Sequence, residues 1–298
     1  MNGIVGLDLG GSSIKAVAAT REGRTIAQSR VEFDPNRRMD WAEKIRLILA
    51  DFVDNHGVDV EGIGISAPGL ASPDERSIAV MPGRLDGLEG LDWTTFLKSP
   101  RRVPVLNDAH AALLGESWLG AAKGFQNVIL LTLGTGVGGA ALVDGRLLRG
   151  HLGRAGHLGH ASLDIDGPPD VCRMPGSLEW AIGNCTIAER SEGRFQSTHE
   201  LVAAHLAGDA TASRVWLRSV RALACAIGSF VNILDPEAVI IGGGISAAGA
   251  ALMDPLKEFV DAIEWQPAGH RVRILPASLG EFAGAFGAAY KAFAPCVG

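Results

Sequence analysis

Asn127 to Gly150 reads NVILLTLGTGVGGAALVDGRLLRG. An apolar run of Val, Ile and Leu enters a loop of closely spaced glycines, leaves as a second apolar run, and turns back at Asp144-Gly145-Arg146. That is the pattern of strand, glycine turn, strand, hairpin, strand. Gly134, Gly136, Gly138 and Gly139 remove side chains where a backbone must approach a ligand, and leave amides able to point at phosphate oxygens. A lone glycine loop is more often a structural turn. Here, however, the chain repeats the layout.

Residues 3–29, GIVGLDLGGSSIKAVAATREGRTIAQS, run apolar strand, Gly10-Gly11 turn, strand, Glu22-Gly23-Arg24 turn, strand. DVEGIGISAPG (59–69) ends in Pro68-Gly69, and its counterpart PEAVIIGGGI (236–245) carries Gly242, Gly243 and Gly244. VPVLNDAHAALLGESWLGAA (103–122) and VRILPASLGEFAGAFGAAYKA (272–292) both run from a strand into a helix rich in alanine and glycine. A repeat of half the chain implies two similar α/β domains, expected to face each other with glycine turns lining the cleft between them. The length of 298 residues also fits two domains.

A net charge of −6 and the absence of a Lys/Arg-rich block argue against a nucleic-acid surface, so a small ligand is expected. The N-terminus enters a strand without the pattern of a signal peptide. Ala222 to Leu234, the most continuous apolar run, is too short to span a membrane. Four cysteines (Cys172, Cys185, Cys225, Cys296) at unrelated spacings do not form a disulfide framework, so a cytoplasmic setting is expected.

Asp40 to His56 has helical spacing of Trp41, Ile45, Ile48, Leu49 and Phe52, with Asp40 and Glu43 in capping-box positions and Gly57 behind. The segment after Gly69, with Pro73, Pro82 and Gly83, is long for a loop and is either functional or a surface excursion. Asn107 and Asp108 open a helix and could simply cap it. Aligning the halves sets Ala277 and Ser278 opposite them, where the serine could cap equally well, and sets Thr132 opposite Asp8. Two carboxylates present in one copy only, Asp8 and Asp108, therefore point to chemistry. His157, His160, Cys172 and Asp170 could form a metal site, but one cysteine is a weak basis for tetrahedral zinc. Helices are expected from Glu200 to Leu234 and from about Gly280.

Paired glycine turns with an acidic residue between them suit phosphoryl transfer, which rests on positioning and charge neutralisation. The loops are not a Walker A loop, and the Gly134–Gly139 turn does not run into a helix as a dinucleotide fingerprint does.

DLGGSSIK (8–15), LNDAHAA (106–112), LGTGVGGA (133–140), GHLGRAGHLGH (150–160), DPEAVIIGGGIS (235–246) and ILPASLGEFAGAFGAA (274–289) together resemble the ordered motifs of the ROK family of sugar kinases, which includes bacterial glucokinases. The resemblance implies two actin-like ATPase (ribonuclease H-like) domains, 1–115 plus 284–298 and 116–283, with MgATP between them and a hexose deeper in the cleft. It implies that Asp108 is the catalytic base and that Pro68, Gly69, Asn107, Asp108, His157, His160 and Glu179 bind the sugar. Asp8 would hold Mg²⁺ through water. Gly10, Gly11, Ser12, Ser13 and Lys15, with Gly134, Thr135, Gly136, Gly138 and Gly139, would bind phosphates, and Gly242, Gly243 and Gly244 would flank the nucleotide. A homodimer is implied as well.

There are two departures. The glutamate of the family's AGExGH motif is His157, which either alters sugar preference or keeps a polar contact with glucose still bound. The family's zinc motif, CxCGxxGC, reads from Asp170 through Cys172 to Ser177, so structural zinc is not expected and packing around Met174 and Pro175 would hold the loop. The leading expectation is ATP-dependent phosphorylation of a hexose, glucose at its 6-hydroxyl first. The alternatives are another sugar or cyclitol, polyphosphate as donor, or a non-catalytic sugar sensor; DNA binding is not expected, since no helix-turn-helix precedes the first strand.

Overall fold

The computed structural model describes residues 1–81 and 85–294; Pro82, Gly83 and Cys296 lie outside the described residues. The chain divides into two compact units. The first holds Met1–Gly124, Arg149–Ala155 and the chain from Ser278; the second holds Phe125–Leu148 and Gly156–Ala277. These boundaries differ from the expected 1–115 plus 284–298 and 116–283. A cut at 115/116 would fall inside one continuous helix, Asp108–Leu119. Arg149 joins the first unit because its guanidinium pairs with the buried Glu75 at 2.9 Å.

In chain order the first unit contains strands β1 (Asn2–Leu9), β2 (Ser13–Ala19) and β3 (Thr25–Glu32), helix α1 (Asp40–Asp54) and strand β4 (Asp59–Ala67). A short pair β5 (Leu70–Ala71) and β6 (Ile78–Val80), helix α2 (Trp93–Phe96), strand β7 (Val105–Asn107) and helix α3 (Asp108–Leu119) follow. The second unit contains β8 (Val128–Leu133), β9 (Val137–Val143) and β10 (Arg146–Leu147), then α4 (Leu178–Ile182), α5 (Ile187–Arg190), α6 (Thr198–Leu206) and α7 (Ala210–Leu234). Strand β11 (Ala238–Gly242), helix α8 (Ala250–Ile263) and strand β12 (Arg273–Pro276) complete it, and helix α9 (Ala283–Phe293) returns to the first unit.

The sheets have one topology. Their orders are β3-β2-β1-β4-β7 and β10-β9-β8-β11-β12. In each, the first three strands are antiparallel neighbours and the last two join in parallel. The hairpin at Asp144-Gly145 has positive φ at both residues, as a tight two-residue turn requires.

Side-chain alternation along β1 decides what each face carries. Val5, Leu7 and Leu9 pack with Trp41, Ile45, Ile48 and Phe52 of α1. Ile4, Gly6 and Asp8 share the other face, where α9 lies. A Cβ on Gly6 would sit 1.8 Å from the Ala285 carbonyl, and one on Gly64, its register partner in β4, 2.0 Å from that of Ala288. Gly287 of α9 approaches the Ala111 carbonyl of α3 in the same way, at 1.7 Å. The small residues that the repeat made conspicuous thus let α9 lie backbone to backbone on the sheet and against α3.

Four local expectations are corrected. Asp40 does not cap α1, whose N-cap is Met39; its carboxylate instead accepts from the Asp34 amide and pairs with Arg37. The ladder register pairs Ser66 with Leu106 and Ile241 with Pro276, so the repeat sets Asn107 opposite Ser278 and Asp108 opposite Leu279, one residue from the sequence alignment. Ser278 does not cap α9: its amide and hydroxyl both donate to the buried Glu116, and a single helical turn at Gly280–Phe282 intervenes. The apolar run at 222–234 belongs to a 25-residue helix, α7, long and apolar enough to cross a membrane. Its buried face, Trp216, Val220, Leu223, Ala224 and Ile227, lies in the core of the second unit, while Arg214, Arg218 and Arg221 are exposed.

Candidate active site

In the first unit, Asp8 ends the glycine stripe of β1. A Cβ on Gly284 would meet its carboxyl carbon at 2.7 Å, so the start of α9 closes over it only because that residue is glycine. The Ser66 hydroxyl, on the neighbouring strand, donates to Asp8 at 2.5 Å. Burial pushes the Asp8 carboxyl up to about 6; the Ser66 bond works against this, the Asp108 charge adds to it and Lys15, its partner across the β1–β2 ladder, lowers it. Two neighbouring carboxylates with one lysine leave negative charge undercompensated, which fits a divalent cation bound through water.

Gly10 to Ser13 form the turn after β1, closed by the Gly10 amide on the Ser13 carbonyl at 2.9 Å. Open space surrounds the Cβ direction of Gly11. Asn36, Met81, Asp86 and Glu89 line a cavity of about 800 Å³ together with Gly11. Gly69, between β4 and β5, has φ of +100°, and a Cβ there would sit 2.6 Å from the Val80 carbonyl, so the approach of β6 requires glycine.

Asn107 is the N-cap of α3: its side-chain oxygen accepts from the amides of Ala109 and His110, and its NH₂ donates to the Gly69 carbonyl at 3.0 Å. The capping role is real, and it falls to Asn107 rather than to Asp108. Asp108 spends one oxygen on the Ala109 amide at 2.8 Å. Water reaches its side chain, yet protein surrounds the carboxyl densely enough for desolvation to raise it; the bonds from Ala109 and Asn107 only partly offset this. A carboxylate whose proton affinity is raised, held at a helix start, is the group a general base requires.

In the second unit the Gly134–Gly136 turn is pinned by its own carbonyls, which accept from the amides of Asn184 and Cys185 at 3.0 and 2.8 Å. Glu179, in the first turn of α4, accepts from the Val137 amide at 3.0 Å, and its carboxylate fills the place where a Gly136 side chain would begin. Gly139 makes room for the Gly156 carbonyl and Leu158, and Gly243, at φ of +84°, for the backbone of Leu133. Gly134 and Gly244 are open: a Cβ on either would meet nothing within 4 Å. Both line a largely apolar cavity of about 490 Å³ with Thr135, Thr198, Val202 and Ile245. The hydroxyl of Thr198, buried in that wall, has no hydrogen-bond partner among the described residues, which suits a polar ligand group there.

The His157 and His160 rings stack with centroids 6.4 Å apart. Burial and the neighbouring His160 lower the pKa of His157, so it is neutral at pH 7 and offers one donor and one acceptor. His160 Nδ1 lies 2.8 Å from an oxygen of Asp170. Partial desolvation, then the charges of Asp170 and Glu179, raise the thiol of Cys172, which stays exposed. His160, Asp170 and Cys172 nonetheless offer ligand atoms within 4.8 Å of one another.

Sequence reasoning did not single out Ser66, Glu116 or the α6 residues of the nucleotide-sized cavity. Ser66 could have been found, since it ends a strand directly beside Asp8. Glu116 and Thr198 could not, because nothing local marks a glutamate or threonine in a helix as buried.

The ROK family model matches residues 4–294. The chain belongs to that family and is an ATP-dependent kinase acting on a sugar. It is similar to the glucokinase of Halalkalibacterium halodurans, with 32% identity over 315 residues that cover 95% of this chain and 92% of that one. Among solved structures it is similar to the ROK hexokinase from Thermus thermophilus, with a TM-score of 0.83 and 30% identity over 98% of each chain. It is also similar to a ROK family glucokinase from Streptomyces griseus in complex with glucose and AMPPNP, with a TM-score of 0.77 and 27% identity, covering 97% of this chain and 99% of that one.

Proposed function

We propose that this kinase phosphorylates a hexose, glucose at its 6-hydroxyl first, with Asp108 as general base. The observation that carries the proposal is the pair Asp8 and Asp108: both carboxyls are raised, both sit in one copy of the repeat, and Thr132 and Leu279 stand in the other. Asp108 takes the proton of the sugar hydroxyl as its oxygen bonds to the γ-phosphorus, and the bond from phosphorus to the ADP oxygen breaks. Asp8 is the residue that would hold Mg²⁺, which when bound neutralises phosphate charge. Lys15, Gly10, Gly11, Ser12 and Ser13 bind phosphate in the first unit, as do Thr135 and the turn Gly134–Gly139 in the second. Gly242, Gly243 and Gly244 flank the nucleotide, whose base occupies the cavity beside Thr198.

Pro68, Gly69, Asn107, His157, His160 and Glu179 contact the sugar in this proposal. Neutral His157 favours a second reading, in which another sugar or a cyclitol is preferred, because a single acceptor replaces the two anionic oxygens of a glutamate. We further propose that the units are actin-like, ribonuclease H-like domains, and that the enzyme is a cytoplasmic homodimer. The free thiols of Cys172, Cys185 and Cys225 suit a reducing compartment. ADP release with MgATP, measured over glucose, mannose, fructose, allose, N-acetylglucosamine, N-acetylmannosamine and inositols, identifies the acceptor. Asp108→Asn should lose about 10²–10⁴-fold in kcat. Unchanged turnover in that variant removes Asp108 as the base.

A further inference from the structure

The loop from Asp170 to Ser177 occupies the place of the family's zinc motif, and its donors do not fit zinc. A structural zinc takes four ligands at about 2.0–2.3 Å with thiolates prominent among them. Here a single thiol is present, and it is exposed. The motif's last cysteine position is Ser177, whose hydroxyl accepts from the Trp180 amide as the N-cap of α4. The carboxylate is already committed. Its Oδ2 lies 2.8 Å from His160 Nδ1, and its Oδ1 accepts from the amides of Cys172 at 2.8 Å and Met174 at 3.0 Å. The Asp170 side chain itself is 1% exposed, although the loop whose amides it accepts from lies at the surface. Met174, by contrast, is exposed, which corrects the expectation that packing around it holds the loop.

We propose that the Asp170 carboxylate does the work of the absent metal. Two backbone donors close the loop on it, and the third bond fixes the His160 ring. Because a carboxylate can only accept, His160 carries a proton on Nδ1, and in the neutral ring Nε2 is then the acceptor nitrogen. Asp170 is thus a positioning residue for His160, acting on the sugar only through that ring. This last step rests on the proposed sugar contact of His160, whereas the metal and the tautomer do not.

Three measurements test the proposal. Protein expressed with abundant zinc should hold well under 0.1 equivalent by elemental analysis, and a zinc chelator should leave its melting temperature unchanged. The double variant Asp170→Cys with Ser177→Cys should bind about one equivalent and become sensitive to the chelator. Near-stoichiometric zinc in the wild type overturns the proposal. In Asp170→Asn, the side-chain NH₂ donates where the carboxylate accepted, so the ¹⁵N NMR signature of His160 should switch from the Nδ1–H to the Nε2–H tautomer. A wild type already in the Nε2–H form refutes the hydrogen-bond assignment. Where Asp170→Asn still melts cooperatively, sugar KM should rise about tenfold or more with ATP KM unchanged. Loss of kcat alone, with the tautomer switched and zinc absent, would instead count against the sugar contact of His160 and leave the loop assignment standing.

Discussion

Asp8→Asn should make the Mg²⁺-free protein more stable while abolishing its activity. In the folded chain the Asp8 carboxyl is raised from 3.8 to about 6, chiefly by burial and secondarily by Asp108. A shift of about two units corresponds to ~3 kcal/mol at pH 8, where the group is ionised in both the folded and unfolded states. Asp8 is partly open to water, so solvent screening reduces this to ~1–2 kcal/mol. Asparagine retains an oxygen to accept from Ser66 and removes the charge. The sign follows from proton counting. Between about pH 4 and 6 the native state binds more protons at this site than the unfolded state, so wild-type stability falls as pH rises through that window. The variant lacks that loss. Its advantage should be absent below pH 4, grow between 4 and 6, and be complete above 6. For a unit of this size, ~1–2 kcal/mol corresponds to a rise of roughly 2–8 °C in melting temperature. Thermal melts at pH 4, 6 and 8, with and without Mg²⁺, provide the assay, and added Mg²⁺ should stabilise the wild type only. A variant less stable than the wild type at pH 8 without metal, or a gap that persists at pH 4, refutes the electrostatic account of this site.

The acidic limb of kcat/KM against pH should fall above the ordinary carboxylate range, because desolvation raises Asp108 and the base must be ionised; a limb at the ordinary value near 4 contradicts this. Gly11→Ala meets open space and should raise ATP KM without changing the melting temperature, whereas Gly136→Ala drives a methyl into the Glu179 carboxylate and should lower the melting temperature and raise sugar KM together. Equal stability losses in the two variants would show that the glycines do not differ in kind. Gly287→Ala places a methyl 1.7 Å from the Ala111 carbonyl and should cost about 3 kcal/mol or more in denaturant unfolding, since both partners are backbone and cannot swing aside. Glu116→Gln turns one of the oxygens facing Ser278, Leu279 and Ala121 into a donor facing donors, and should cost about 1–3 kcal/mol by the same measurement.

The local sequence determined the two sheets. Apolar runs broken by glycine turns specify strand and reversal within about 25 residues, and strand alternation needs only the period-two pattern, so the same layout written twice folded twice. It also singled out Asp8 and Asp108 as the carboxylates to test, because comparing the halves removes what the scaffold requires of both copies. Other features depended on residues far apart in the chain. Gly136 is glycine because Glu179, forty-three positions later, needs the space, and Gly284 is glycine because Asp8 does. The one-residue difference between the sequence alignment and the ladder came from hydrogen-bond register, which no local pattern around Asn107 encodes. Asp170 looked like a lost cysteine; only the convergence of an imidazole and two amides on a buried carboxylate gave it an occupation. A residue type and its neighbours in sequence define what a side chain can do, but which donors surround it is set by packing between distant segments.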